Sequence, residues 1–138
     1  MPRDTNLAVE AGAQRVAQIR VAAQATAGND LNSIVHRAAA DGVVDSVTYL
    51  SDTAITGANT NTRSVSLVNL TQSSAVIATL QFNSGVNTVV GTEKAITLSG
   101  TAANLNITAG DVLQWQSTHV GTGIADPGGL VVITVGRT

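Results

Sequence analysis

Ile107-Thr-Ala-Gly-Asp-Val-Leu-Gln-Trp-Gln116, followed by Gly121-Thr-Gly-Ile-Ala-Asp-Pro-Gly-Gly-Leu-Val131, decides the fold class. The apolar residue Ile107 runs into Gly110-Asp111. That pair favours a tight turn, because glycine accepts positive φ and a turn carboxylate bonds nearby backbone amides. Alternation resumes at Leu113 and Trp115, with Gln114 and Gln116 on the other side, the period of a strand with one buried face. Pro127-Gly128-Gly129 breaks the chain again, and Leu130 to Val135 is rich in β-branched residues. Strand, turn, strand, glycine-rich loop and closing strand is the punctuation of an all-β sandwich or barrel.

The same punctuation extends toward the N-terminus. Val76, Ala78, Leu80 and Phe82 alternate with Thr79 and Gln81, the cleanest period-2 run in the chain. Val65 and Leu67 oppose Ser64 and Ser66 in a strand over 64–70. Val43, Val47 and Tyr49 lie on one side of a strand over 43–50, with Ser46 and Thr48 on the other. Further strands are predicted over 31–37, 94–98, 105–107, 112–117 and 130–135. Residues 14–23 fit two periods. Val16 and Ile19 suit a helix face, whereas Ala17, Ile19, Val21 and Ala23 suit one side of a strand, and the β neighbourhood favours the strand. The expected architecture is a single antiparallel β-sandwich, jelly-roll-like, of about nine short strands. It occupies 14–138, behind an extended N-terminal arm at 1–13. Helical crossovers for a parallel sheet are missing.

Composition narrows the function classes. The chain of 138 residues is long enough for one domain with a real core. Only 12% of residues are charged and the net charge is −2, with Lys94 the sole lysine. No basic stripe suits nucleic acid, and no cationic amphipathic segment suits a membrane. A sparsely charged surface is instead cheap to desolvate against other protein subunits. The absence of Cys excludes disulfides and thiolate metal sites. Arg3, Asp4 and Glu10 precede any apolar run, so the start does not resemble a signal peptide.

Each residue type that could carry chemistry has a plainer reading. His36 and His119 are the only histidines, and neither sits in an HxH or HExxH pattern with Asp111 or Asp126. No metal or cofactor is expected. Gly121–Gly129 is glycine-rich, but a P-loop needs a following Lys-Ser/Thr and a helix, and Pro127 with a β-run follows instead. The Gly110-Asp111 turn also occurs in cupins, whose histidine cluster this chain lacks. No Ser lies in a G-x-S-x-G elbow and no paired carboxylates stand out. Trp115, Tyr49 and Phe82 all fall on apolar faces, leaving no aromatic for a sugar platform. Asn69-Leu-Thr71 and Asn106-Ile-Thr108 match the N-glycosylation pattern by chance. The chain is expected not to be an enzyme.

Val47-Thr-Tyr-Leu-Ser-Asp-Thr-Ala-Ile-Thr-Gly57 and Asn61-Thr-Arg-Ser-Val-Ser-Leu-Val-Asn69 resemble a pattern of small structural proteins of tailed bacteriophages. Leu98-Ser-Gly-Thr-Ala-Ala103, Ala109-Gly-Asp-Val-Leu-Gln-Trp115 and the 121–131 stretch continue the likeness. The family it resembles is the capsid decoration, or cement, proteins. The resemblance implies a β-sandwich on the outer surface of a virion head, commonly a homotrimer, clamping major capsid protein subunits. It brings no catalytic residue. A receptor- or glycan-binding module of a tail or fibre is the alternative, and a cupin-type enzyme a third.

The arm supplies the candidate capsid-interface residues Arg3, Asp4, Leu7, Val9 and Glu10. Thirteen extended residues reach about 40 Å, enough to lie along a neighbouring subunit. Leu7 and Val9 are its only aliphatic anchors larger than alanine beyond Met1. Synthesis in a host cytoplasm and export as part of an assembly complete the expectation.

Overall fold

The computed structural model describes residues 14–137; the arm at 1–13, with its candidate interface residues, lies outside them. The strands are β1 (Arg15–Val21), β2 (Leu31–Arg37), β3 (Gly42–Ser51), β4 (Thr62–Asn69), β5 (Ala75–Gln81), β6 (Lys94–Ala95), β7 (Thr97–Leu98), β8 (Asn106–Ile107), β9 (Val112–Val120) and β10 (Gly129–Gly136). A 3-10 turn spans Ala102–Leu105. One sheet runs β1-β10-β3, with β6 and β8 sharing the far edge of β3. The other runs β2-β9-β4-β5-β7. All the paired strands are antiparallel. From β1 to β4 the chain changes sheet at every connection, and β9 to β10 does so again. Two facing antiparallel sheets in this order make a jelly-roll sandwich.

The core lies between the sheets. Ala17, Ile133 and Val47 form one inward row of the first sheet, and Ile19, Val131 and Tyr49 the next. Across from them stand Ser33, Trp115, Leu67 and Ala78. Tyr49 and Trp115 meet with ring centroids 5.4 Å apart and planes tilted by 46°, within the favoured range for aromatic pairs.

The expected strand over 14–23 is present as β1, because pairing with β10 buries its Ile19 side and Val21. Two faces differ from simple alternation, and bulges are the reason. Between β3 and β10 the register steps from Ser46↔Thr134 to Val44↔Val135, leaving Asp45 unpaired. The extra residue flips the parity, so Val44 points inward and Val43 is half-exposed. Between β4 and β5 the register steps from Leu67↔Ala78 to Val68↔Val76. Ile77 is the extra residue and is fully buried, while Val76 turns out to 40% exposure.

The expected single strand over 94–98 is two. Lys94–Ala95 pair with β3 and Thr97–Leu98 pair with β5 in the opposite sheet. The chain crosses between sheets at Ile96, which is buried and donates its N–H to Val47 O at 2.9 Å. That split makes ten strands. The Pro127-Gly128-Gly129 break has a steric cause. Gly128 has φ 76°, and a Cβ on Gly129 would lie 2.0 Å from Leu50 O, so β10 enters the sheet only as glycine.

Candidate functional site

The chemistry-bearing residues collect at the two ends of the sandwich. At one end Asp126 is fully buried. The Tyr49 hydroxyl donates to its Oδ1 at 2.7 Å, the Ser117 hydroxyl to its Oδ2 at 2.6 Å, and Gly128 N–H to Oδ1 at 3.0 Å. Arg63, also fully buried, donates from Nη1 to Ser117 Oγ at 3.1 Å. Its Nε donates to Ile124 O at 2.6 Å, and Nη2 to Ala27 O and Asn29 O, each at 2.9 Å. Burial, then the Asp126 carboxylate, push the Tyr49 phenol far above its ordinary value of 10.0. A buried arginine and a buried aspartate are tolerated because each is surrounded by partners. The cluster ties the β1–β2 and β9–β10 loops to β3 and β4. Tyr49, Arg63, Ser117 and Asp126 are all closed to solvent.

Arg63 was missed as a core residue. The signal was its parity: it shares a side with Val65 and Leu67, so alternation alone puts it on the inner face.

At the other end Asp111 closes the expected turn. Thr108 N–H donates to its Oδ2 at 2.9 Å, Asn69 Nδ2 to the same oxygen at 2.8 Å, and Gln72 Nε2 to Oδ1 at 3.3 Å. Burial pushes this carboxyl up, but those three hydrogen bonds outweigh it and the pKa falls below 3.8. Asn69, the first residue of one glycosylation pattern, is buried in this cluster.

The histidines are far apart. His36 pairs opposite Leu113 and His119 opposite Arg63. Leu113 and His119 stand six residues apart on β9, about 20 Å. Burial, then the Arg15 charge, lower the His36 pKa. His119 meets Asp30 at 2.6 Å, and its backbone and ring hydrogen bonds lower the Asp30 pKa. Among the described residues no three His, Asp or Glu side chains converge as metal ligands would. Tyr49, Phe82 and Trp115, the only aromatics, are all 0% exposed.

The outer face of the second sheet is the distinctive surface. Its central row reads Asn32, Gln116, Ser66, Thr79 and Thr97 across five strands. The next row reads Ile34, Gln114, Val68 and Val76, and a third Thr118, Ser64 and Gln81. None of these side chains is ionisable. Neighbours bond to one another, Ser66 to Thr79 at 2.7 Å and Gln116 to Gln114 at 2.9 Å. Five strands about 4.8 Å apart make the face roughly 20 Å wide. The first sheet differs: it carries Asp45 and an Arg20–Asp52 ion pair at 2.7 Å.

No protein-family model and no curated protein matches the sequence. A solved structure described as the structure of infectious bursal disease virus Gx strain aligns with a TM-score of 0.42 and 9% identity. The alignment covers 90% of this chain and 32% of that one, so this chain spans about a third of its length.

Proposed function

We propose that this chain is a non-catalytic virion structural protein, a capsid decoration or cement protein that binds major capsid protein on the outer shell. The observation that carries the reading is the uncharged centre of the outer face of the β2-β9-β4-β5-β7 sheet, with Arg37 of β2, opposite Val112, at its margin. Interface cores are depleted of charge, because burying an ion costs several kcal/mol while a hydroxyl or amide needs only one replacement hydrogen bond. Here twelve adjacent positions in three outward rows carry only Ser, Thr, Asn, Gln, Val and Ile; eleven are at least partly exposed, and Val68 is buried beneath its neighbours at 2%. Arg3, Asp4, Leu7, Val9 and Glu10 add contacts along a neighbouring subunit, and copies of the chain associate with one another as a homotrimer. The burial of all three aromatics disfavours the glycan-binding alternative, which lacks a stacking platform.

Sedimentation with shells assembled from the major capsid protein of the same virus tests this. The full chain should pellet with the shells. Thr79→Lys with Gln116→Lys, and separately deletion of residues 2–13, should each weaken binding tenfold or more, about 1.4 kcal/mol. A full chain that stays in the supernatant, or a specific glycan-array signal, would sink the capsid reading.

A further inference from the structure

The loop between β5 and β6 ends in an apolar knob. Thr92 N–H donates to Val89 O at 3.0 Å and Gly91 has φ 80°, a four-residue turn with glycine where type II geometry requires it. Val89 and Val90 occupy its outer positions at 64% and 59% exposure. The turn is braced from behind. Thr88 is buried; its hydroxyl accepts from Ile55 N–H at 2.7 Å and lies 2.6 Å from Ser51 Oγ. Glu93 accepts from the Thr48 hydroxyl at 2.7 Å. Two adjacent valines are thus held out in water on a fixed support.

A complementary hollow lies elsewhere on the molecule. Val16, the alanines at 38–40, Ile107 and Val135 wall a cavity of about 80 Å³, with Arg15 and His36 as its polar members. Arg15 is held there by donating to Asp41 O at 3.0 Å. A cavity of about 150 Å³ accommodates the six carbons of benzene, roughly 25 Å³ per carbon, so the three carbons of a valine side chain need about 75 Å³.

We propose that Val90 of one copy seats in this hollow of the next copy, with Val89 packed against the hollow's rim, and that this contact builds the oligomer. Knob and hollow cannot meet within one chain. Thr88 is bonded to Ser51 at the end of β3, whereas Ile107 pairs with Gly42 at its start, about 30 Å away along the strand. A contact between opposite ends of the sheet runs head to tail, the heterologous kind that makes a ring when its rotation closes. Charge supports the pairing: Glu93 follows the knob and exposed Arg15 borders the hollow. The inference rests on the reading that copies associate, and not on the capsid assignment.

Light scattering on the eluting full chain, with shell sedimentation run in parallel, tests the proposal. The full chain should elute as an oligomer. Val89→Asp with Val90→Asp, and separately Ala39→Leu to fill the hollow, should each yield monomer with an unchanged far-UV circular dichroism spectrum. The chain has no Cys, so mixing a Val90→Cys chain with an Ala39→Cys chain under oxidation should give a disulfide heterodimer without background. A monomeric full chain, or an oligomer that survives both variants, overturns the proposal. So does a Val9→Cys, Ala39→Cys chain that cross-links internally instead, since its own arm would then fill the hollow. An oligomer with these responses that ignores shells would sink the capsid reading alone.

Discussion

Single side chains show how a chain with three aromatics still builds a firm core. Trp115 is fully buried between β2 and β4, against Tyr49. Its burial followed from sharing a face with Leu113, and the same logic held for Tyr49 and Phe82. Its indole N–H has no hydrogen-bond partner among the described residues, so its contribution comes from packing. Trp115→Ala should cost about 3–5 kcal/mol in denaturant unfolding. Native tryptophan emission should be blue-shifted and resistant to quenchers; red-shifted, readily quenched emission would mean that the ring is exposed. The Arg63–Ser117–Asp126–Tyr49 cluster was less legible. Its parts stand at positions 49, 63, 117 and 126, and no local period links them. The Asp111 turn was legible because Thr108 and Asp111 are three residues apart.

At the scale of elements, turns and periods located most strands, and bulges decided which faces they present. The run from Val76 to Phe82 alternates cleanly in sequence, yet the extra residue at Ile77 rotates Val76 to the surface. A bulge arises from what the partner strand opposes, which a strand's own sequence does not contain. The 94–98 segment shows the same limit, since its halves are claimed by different sheets. Gly129 offers a sharp test of the β10–β3 contact. Gly129→Ala puts a methyl 2.0 Å from Leu50 O and should destabilise by about 1–3 kcal/mol, as overpacking does. Gly100→Ala, whose Cβ meets nothing within 4 Å, is the control and should leave the unfolding midpoint nearly unchanged. Equal effects at both sites would refute the close approach.

For the whole molecule, stability should rise with pH in two separate windows. His36 has a folded-state pKa below its ordinary 6.5, through burial first and Arg15 second. The unfolded chain therefore binds the proton more readily, and stability is lost as pH falls from about 6.5 through the folded value. Asp111 is likewise lowered from 3.8, its hydrogen bonds overcoming burial, and its contribution is lost only in stronger acid. Melting temperature should decline in both windows, and decline again above about pH 10, where the unfolded chain ionises Tyr49 and the folded chain, through burial and Asp126, does not. His36→Gln should remove the upper decline, and Asp111→Asn should soften the lower one at the cost of lower stability at neutral pH. An upper decline that persists in His36→Gln would assign it to another group.

Fold class, the antiparallel sandwich, the β2 strand at Leu31–Arg37, the Asp111 turn and the burial of the aromatics were determined by the sequence alone, because alternation and turn chemistry act between residues a few positions apart. Strand order, the bulged faces, the buried Arg63–Asp126 cluster, the uncharged centre of the outer sheet face and the separation of knob from hollow were decided only by the tertiary structure. Each depends on partners dozens of residues away, such as Arg63 with Ile124 or Gly42 with Ile107. Those partners are chosen by how two whole sheets pack, and short-range periodicity carries no record of that choice.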